Sequence, residues 1–358
     1  MYPKHVKEFL RCYDIQYPII QAPMAGGITT VELVASVCNA GGIGSFGAAY
    51  MSVEQLDHDI KAVKKRTSAL FSANLFCFDV PPAPAWEATN PAISQYMKLF
   101  EQFGIETPSK YPMIEDLFSK QLEVLIEHQV PIISFTFGVP DRKQIERIQS
   151  YGGKVWITVT NLVEAQQAQD AGVDALIVQG YEAGGHRGSF DPQAKPSEQI
   201  GLISLLQLVS GAIDIPVIAS GGLMTGKSVM ATMVLGAVAG QLGTAFLGCQ
   251  EANVTASWRS ALKCAQDTDT ILTRSFSGKL ARGIANRHTK LFEKMEDEIP
   301  PFPYINSVTG PLRQHSKQIE SCDHQSLWAG QSCRLTRSMG AASLVELLGK
   351  ELQEAARF

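Results

Sequence analysis

Residues 216–244, PVIASGGLMTGKSVMATMVLGAVAGQLGT, hold one complete unit of the fold. A short apolar run, Pro216–Ala219, leads into Gly221-Gly222; a segment of helical period, Lys227–Leu235, follows; a second apolar run, Ala239–Leu242, leads into Gly243. Strands this short and this apolar suit a parallel sheet covered on both faces, where no polar side chain is needed for a solvent face. Outward from this unit the alternation recurs at roughly thirty-residue intervals. Predicted strands are Tyr17–Gln21, Ile43–Ser45, Phe71–Phe76, Ile132–Phe135, Lys154–Val159 and Ala175–Val178, followed by the two already quoted. Predicted helices are Val31–Asn39, Val53–Lys64, Ile114–His128, Asp141–Tyr151, Leu162–Ala171, Leu202–Val209, Lys227–Leu235 and one near Ala252–Cys264. Eight strands alternating with eight helices specify an α/β chain folded as a (β/α)8 TIM barrel.

A barrel of that kind takes about 250 residues, and this chain has 358. The surplus falls in two places. Residues 79–112 carry six prolines and the aromatics Trp86, Tyr96, Phe100, Phe103 and Tyr111, and read as an insertion after the third strand, a lid or binding element. From Asp267 onward lie the turn-rich IPPFPY at 299–304 and an amphipathic closing helix, Ala341 to Ala356. The expected organisation is a barrel over 1–266 with a mostly helical and irregular extension over 267–358 packed on it.

Composition narrows the function. Hydrophobic residues make up 45% of the chain and charged residues only 18%, against about 25% charged in a typical soluble domain. Two uncharged stretches, Ser228–Gln250 and Leu33–Val53, are long enough to span a bilayer, but glycine and polar residues interrupt both, so a buried helix followed by a buried strand explains each better. The net charge of −4 and the absence of a long basic run argue against nucleic acid and for small molecules. Seven scattered cysteines without a CxxC pair read as buried thiols in a reducing compartment, with no metal site. The first fourteen residues lack the apolar core of a signal peptide, so a cytoplasmic location is expected.

Barrel chemistry sits on the loops that follow the strands, and three glycine-rich segments fall there. In QAPMAGG, 21–27, glycines let backbone approach a flat ligand closely, although a tight turn is the plainer reading of this segment alone. Gly221-Gly222 and, after the eighth strand, Gln241-Leu242-Gly243-Thr244 occupy the usual phosphate position of the fold, where backbone N–H groups and a nearby helix N-terminus face an anion. No GxxxxGK[ST] is present, so the anion is read as a cofactor monophosphate rather than an NTP.

The third segment is VQGYEAGGHRG, 178–188, where Gly184, Gly185 and Gly188 flank His186 and leave its ring exposed toward the rim. A ring that titrates near neutrality suits an acidic carbon or an anion beside a cofactor. The other six histidines fall on helices or in polar context. Asn74 and Gln179, at strand ends, offer neutral amides to a heterocycle, and Arg282 with Asn286 reads as a polar cluster at a solvated helix start.

The set QAPMAGG, QGYEAGGHRG, ASGGL at 219–223, QLGTAFL at 241–247, SGKLARGIANR at 277–287 and LWAGQS at 327–332, in that order, resembles the nitronate monooxygenases, formerly 2-nitropropane dioxygenases, in their bacterial FMN-dependent class. The resemblance runs from about Tyr17 to Ser332. It implies a TIM barrel holding FMN without a covalent bond, with Asn74, Gln179, Gly184, Gly222, Gln241, Leu242, Gly243 and Thr244 around it and Ala22, Pro23 and Met24 along the ring. Gly185 and Gly221 join this set by their placement. His186 matches the family's active-site histidine. The implied reaction oxidises alkyl nitronates, such as propionate 3-nitronate, with O2 to carbonyl compounds plus nitrite or nitrate, in a monomer or homodimer with small molecules as its partners.

Three alternatives remain. Flavin-dependent enoyl-acyl-carrier-protein reductase, using NAD(P)H, shares the barrel and much of EAGGH, but the 79–112 insertion and LWAGQS separate the two. A barrel dehydrogenase of the IMP class needs a cysteine nucleophile after the sixth strand, and none follows Val178. A non-catalytic FMN-storing or ligand-sensing protein would bind flavin without oxygen uptake, which leaves the rim-facing His186 without a purpose.

Overall fold

Parallel pairing joins β1 (Ile19–Gln21), β9 (Ala239–Leu242), β8 (Val217–Ser220), β6 (Ala175–Gln179), β5 (Lys154–Val159), β4 (Ile132–Thr136), β3 (Ser72–Phe76) and β2 (Ser45–Gly47), in that order, in a computed structural model that describes residues 2–357. The ring closes through a parallel bridge between Ile20 and Ile43, with Gln21 N–H donating to the Ile43 carbonyl at 2.9 Å and Ile43 N–H to the Ile19 carbonyl at 3.0 Å. The predicted second strand, Ile43–Ser45, therefore supplies both the closing bridge and the first residue of β2. Three more strands complete the count: β7 (Gly185–His186), β10 (Thr270–Thr273) and β11 (Ala281–Ile284).

Side-chain alternation divides the barrel strands between two environments. Ile133, Val155, Ile157, Leu176 and Val178 point outward into the main core under the helices. Ile20, Ile132, Trp156, Ile177 and Ile218 fill the barrel bottom, where the helix Lys4–Cys12 brings Phe9 against them. The Trp156 indole donates to the Tyr13 hydroxyl at 2.9 Å, so the buried N–H is paired. The N-terminal segment is thus a plug at the end of the barrel opposite the loops that follow the strands.

The helix expected near Ala252–Cys264 forms at Ala256–Cys264, after a short turn of helix at Thr244–Leu247. The place beside β1, between the helices Gly226–Val234 and Val31–Asn39, belongs instead to the helix Ala341–Ala355. Its buried Leu344, Val345, Leu348 and Leu352 recur at helical spacing and join the main core. Glu351 on this helix accepts the Gly226 N–H at 2.7 Å and pairs with Arg337 at 2.6 Å. The long run Ser228–Gln250 holds a helix, β9 and a helical turn, as a buried barrel segment should. Among the described residues no helix is long and apolar enough to cross a membrane.

The insertion is less irregular than its prolines suggest, because Pro91–Phe103 is a helix capped by Asn90, whose Oδ1 accepts the Ile93 N–H at 3.0 Å. Its Tyr96, Leu99 and Phe100 pack with Phe292, Ile305 and Leu312 in a cluster of their own. Two surpluses far apart in sequence therefore build one cap. All seven cysteines are free thiols; Cys38, Cys249 and Cys333 are buried, whereas Cys12 and Cys264 are exposed, which corrects the expectation that all are buried. Both exposed thiols sit at the polar ends of short helices, where amphipathic spacing leaves them facing water.

Candidate active site

Inward-facing side chains change character along the barrel axis. Above the apolar bottom layer the same pleat positions carry Asn74, Thr136, Thr158, Gln179, Ser220 and Gln241, and these form the floor of a cavity at the rim. The cavity holds about 1210 Å³ of space between atoms, its open mouth included. All fourteen candidate residues line it: Ala22, Pro23, Met24, Asn74, Gln179, Gly184, Gly185, His186, Gly221, Gly222, Gln241, Leu242, Gly243 and Thr244.

One side of the cavity is a cradle of uncommitted donors. The backbone N–H groups of Gly221, Gly222, Gly243 and Thr244 make no hydrogen bond among the described residues. Gly222 has φ +69, and a Cβ there would lie 3.1 Å from Glu182 Cβ and 3.8 Å from the Ser332 hydroxyl oxygen. The position therefore requires glycine both for its left-handed backbone and for access to the donors. Of the two helix N-termini nearby, that of Gly226–Val234 is taken, since Glu351 occupies the Gly226 N–H, whereas the helical turn Thr244–Leu247 opens at the cradle itself with Gly243 as its N-cap. Ser332, inside the LWAGQS motif, supplies a hydroxyl at the same wall.

The amides divide into spent and free. Asn74 donates from Nδ2 to Ser134 Oγ at 2.9 Å and Thr136 Oγ1 at 3.1 Å, which leaves its carbonyl oxygen the better able to meet a ligand. Gln179 is a brace: Nε2 donates to the His186 carbonyl at 3.1 Å and Oε1 accepts the Gly188 N–H at 2.8 Å. The Gln241 side chain makes no hydrogen bond among the described residues and faces the cavity unencumbered. The Thr244 hydroxyl accepts the Gly330 N–H at 2.9 Å.

His186 is held by a second sheet. β7 pairs antiparallel with β11, Ala281 opposite His186, and β11 pairs with β10. The ring is not bare at the rim, as its glycine neighbours suggested, but half-buried among Trp328, Phe302, Phe137 and Phe76, with centroids 5.6, 5.9, 6.0 and 6.3 Å away. Nε2 lies 2.8 Å from Ser277 Oγ, and Nδ1 makes no hydrogen bond among the described residues. Burial, helped by the positive charges of Lys279 and Arg313, pushes the imidazole down to about 3. His186 is neutral at pH 7 in the ligand-free site, and the expectation of a ring titrating near neutrality is corrected accordingly.

Two cations flank this pocket. Lys279 Nζ donates to the Ser189 carbonyl at 3.1 Å and sits 4.5 Å from the centroid of Phe137. Burial and the nearby Arg274 push it down to about 8. Arg313 donates from one terminal nitrogen to Asn306, leaves Nε buried without a partner, and has no carboxylate within 4.0 Å among the described residues. Glu182, the carboxylate beside Gly222, is engaged by the Leu202 N–H at 3.1 and 2.9 Å.

Other polar candidates are structural. Arg282 is not at a solvated helix start: it is buried on β11, donates to the Tyr181 carbonyl at 3.1 Å and stacks over the Tyr181 ring. Asn286 does begin a helix, Arg287–Phe292, but is itself buried, with Nδ2 donating to the carbonyls of Cys322 and Gln325. His288 and His324 are also buried, Nδ1 to Nδ1 at 3.3 Å, with His288 packed against Phe276, Phe292 and Tyr96 rather than set in polar context. Residues missed in the sequence are Thr136, Thr158, Phe76, Trp328 and Ser332. The first three had a signal in their inward strand parity, and the last two lay in a motif quoted only for its family likeness.

Residues 8–351 match the family model described as nitronate monooxygenase. A Staphylococcus aureus protein named a probable nitronate monooxygenase is 38% identical over 347 residues, which cover 96% of this chain and 97% of the relative. The crystal structure of nitroalkane oxidase from Streptomyces ansochromogenes superposes with a TM-score of 0.89 at 36% identity, covering 96% of this chain and 97% of that one. A mutant of FabK from Thermotoga maritima superposes less closely, TM-score 0.74 at 25% identity, covering 98% and 97%.

Proposed function

The chain belongs to the nitronate monooxygenase family, and on that premise we propose that the rim cavity binds FMN and oxidises alkyl nitronates with O2 to carbonyl compounds, releasing nitrite or nitrate. The observation that carries the reading is the pairing, in one cavity, of four uncommitted amides on one wall with a neutral, aromatic-lined histidine on another. Gly221, Gly222, Gly243, Thr244 and Ser332 would hold the phosphate. Gln241 and the Asn74 carbonyl would meet the heterocycle, and Ala22, Pro23 and Met24 would lie along it. The flavin, once bound, supplies the redox chemistry.

The chain's own residues supply binding and proton control. Phe76, Phe302 and Trp328 exclude water from the substrate's carbon end, while Lys279 and Arg313 bring positive charge to the His186 side of the cavity, as an anionic nitronate requires. An arriving anion raises the basicity of His186, because an opposite charge a few ångströms away favours the imidazolium.

Oxygen uptake over a panel of nitronates and nitroalkanes, with and without NADH, tests this. Nitronate-dependent uptake that needs no NADH is expected; uptake with none of the panel contradicts it. The pH dependence of kcat/KM for an anionic nitronate follows from the free-site charges. His186, held near 3, gives no inflection at its ordinary value of 6.5. Lys279 loses its charge as pH rises through about 8, so kcat/KM should fall there. A profile governed by a group near 6.5 would show that His186 titrates normally.

A further inference from the structure

The Ser277 hydroxyl has one proton and three neighbours. Oγ donates to the Lys279 carbonyl at 3.0 Å, accepts the Lys279 N–H at 3.3 Å and lies 2.8 Å from His186 Nε2. With its proton committed to the carbonyl, Oγ meets the imidazole as an acceptor, so the ring hydrogen sits on Nε2. The opposite arrangement would strip the Lys279 carbonyl of its only side-chain donor inside a turn where Ser277 is 1% exposed and Lys279 5%, a costly state for a buried acceptor. Nδ1 is then the bare nitrogen, and it is neither hydrogen-bonded nor among the buried unpaired atoms.

The same short segment also sets the backbone of the histidine. Two residues after Lys279, Ala281 pairs with His186 across β11 and β7, and the Arg187 N–H donates to the Leu280 carbonyl at 2.8 Å. The turn that precedes it is tied by the Ser277 and Gly278 N–H groups to the Arg274 carbonyl at 3.1 and 2.7 Å. Ring and main chain of His186 are therefore indexed to one rigid element of the C-terminal region, outside the repeated strand–helix units.

We propose that Ser277 is a positioning residue: by holding Nε2–H it fixes the tautomer of His186 and makes Nδ1 the atom that exchanges a proton with the substrate. This rests on the reading of the rim cavity as a site for nitro compounds. With a neutral nitroalkane, the α-carbon proton passes to Nδ1 and the C–H electron pair stays with the carbon as the nitronate. His186 becomes an imidazolium whose Nε2–H still points at Ser277. With a nitronate already formed, the anion's approach raises the basicity of Nδ1, which takes up one proton from solvent hydronium, leaving water, and presents Nδ1–H to the bound anion as a hydrogen bond. In both cases the Ser277 contact is unchanged while Nδ1 does the exchange.

Nitrogen-15 NMR of the full-length, flavin-loaded protein labelled in its histidines reads the tautomer directly, with His186→Phe identifying the signal. The expected result is a protonated Nε2 and a bare Nδ1 in the parent protein. Ser277→Ala should populate the other tautomer and lower kcat/KM about 10-fold, the order expected from one hydrogen bond, while Ser277→Thr, which keeps the hydroxyl, restores both. A proton on Nδ1 in the parent protein, or an unchanged tautomer or unchanged kcat/KM in Ser277→Ala, overturns the proposal. The NMR signal needs no turnover, so a parent protein with the expected tautomer that oxidises no nitro compound refutes the functional reading and not the assignment of the ring hydrogen.

Discussion

His186→Ala is expected to lower kcat/KM for nitronates by about 10²-fold while the flavin stays bound, the scale for losing one positioned proton-handling group. Retention of the cofactor follows from how the loop is built. The main chain at His186 is fixed by pairing with Ala281 and by the Gln179 amide on its carbonyl, neither of which involves the imidazole. The proposed phosphate cradle lies on the loops after β8 and β9, and among the described residues no hydrogen bond links it to the ring. Removing the ring does open a void among Phe76, Phe137, Phe302 and Trp328. His186→Phe separates that packing effect from the chemistry, since it keeps an aromatic ring and deletes both nitrogens. Equal losses in the two variants assign the effect to the nitrogens; full activity in His186→Phe, or unchanged kinetics in His186→Ala, would refute the role given to His186.

Gly222→Val is expected to weaken flavin binding by about 10- to 10²-fold, since hydrogen bonds to a charged group are worth about 1.5–3 kcal/mol each and the substitution removes at least one. A β-branched residue is strained at φ +69. Its Cβ would press on Glu182 at 3.1 Å, and its methyl groups would enter the space between the Gly222 amide and the Ser332 hydroxyl. The loop relieves this by turning away, which takes its amides out of the cradle. Titrating the cofactor-free protein with FMN and following flavin fluorescence measures the change. An affinity within about threefold of the parent would place the phosphate elsewhere, since that corresponds to less than one such bond.

The repeated strand–helix pattern was legible because a closed parallel sheet imposes it locally. Each strand must be apolar and short, and each rim loop must turn tightly, so residues 216–244 already contain the rule. The glycine cradle was legible for the same reason. What escaped were arrangements that depend on distant segments meeting. The helix Ala341–Ala355 takes the barrel position beside β1 although residues 243–340 separate it from β9, and nothing in its own periodicity says which groove it fills. The charge of His186 escaped too. Local glycines suggested exposure, but the ring's cover comes from Phe76, Phe137, Phe302 and Trp328, four residues on four separate segments. Arg282 and Lys279 misled or stayed silent because burial of a cation can be read only from the carbonyls and rings that receive it.

The most direct test of the account is anaerobic mixing of the flavin-loaded protein with a nitronate alone and, separately, with NADH, while the flavin absorbance is followed. The account predicts rapid bleaching by the nitronate, slow or no bleaching by NADH, and recovery of the oxidised spectrum when O2 is admitted. Rapid bleaching by NADH with none by any nitronate would contradict it and make this rim cavity a reductase site.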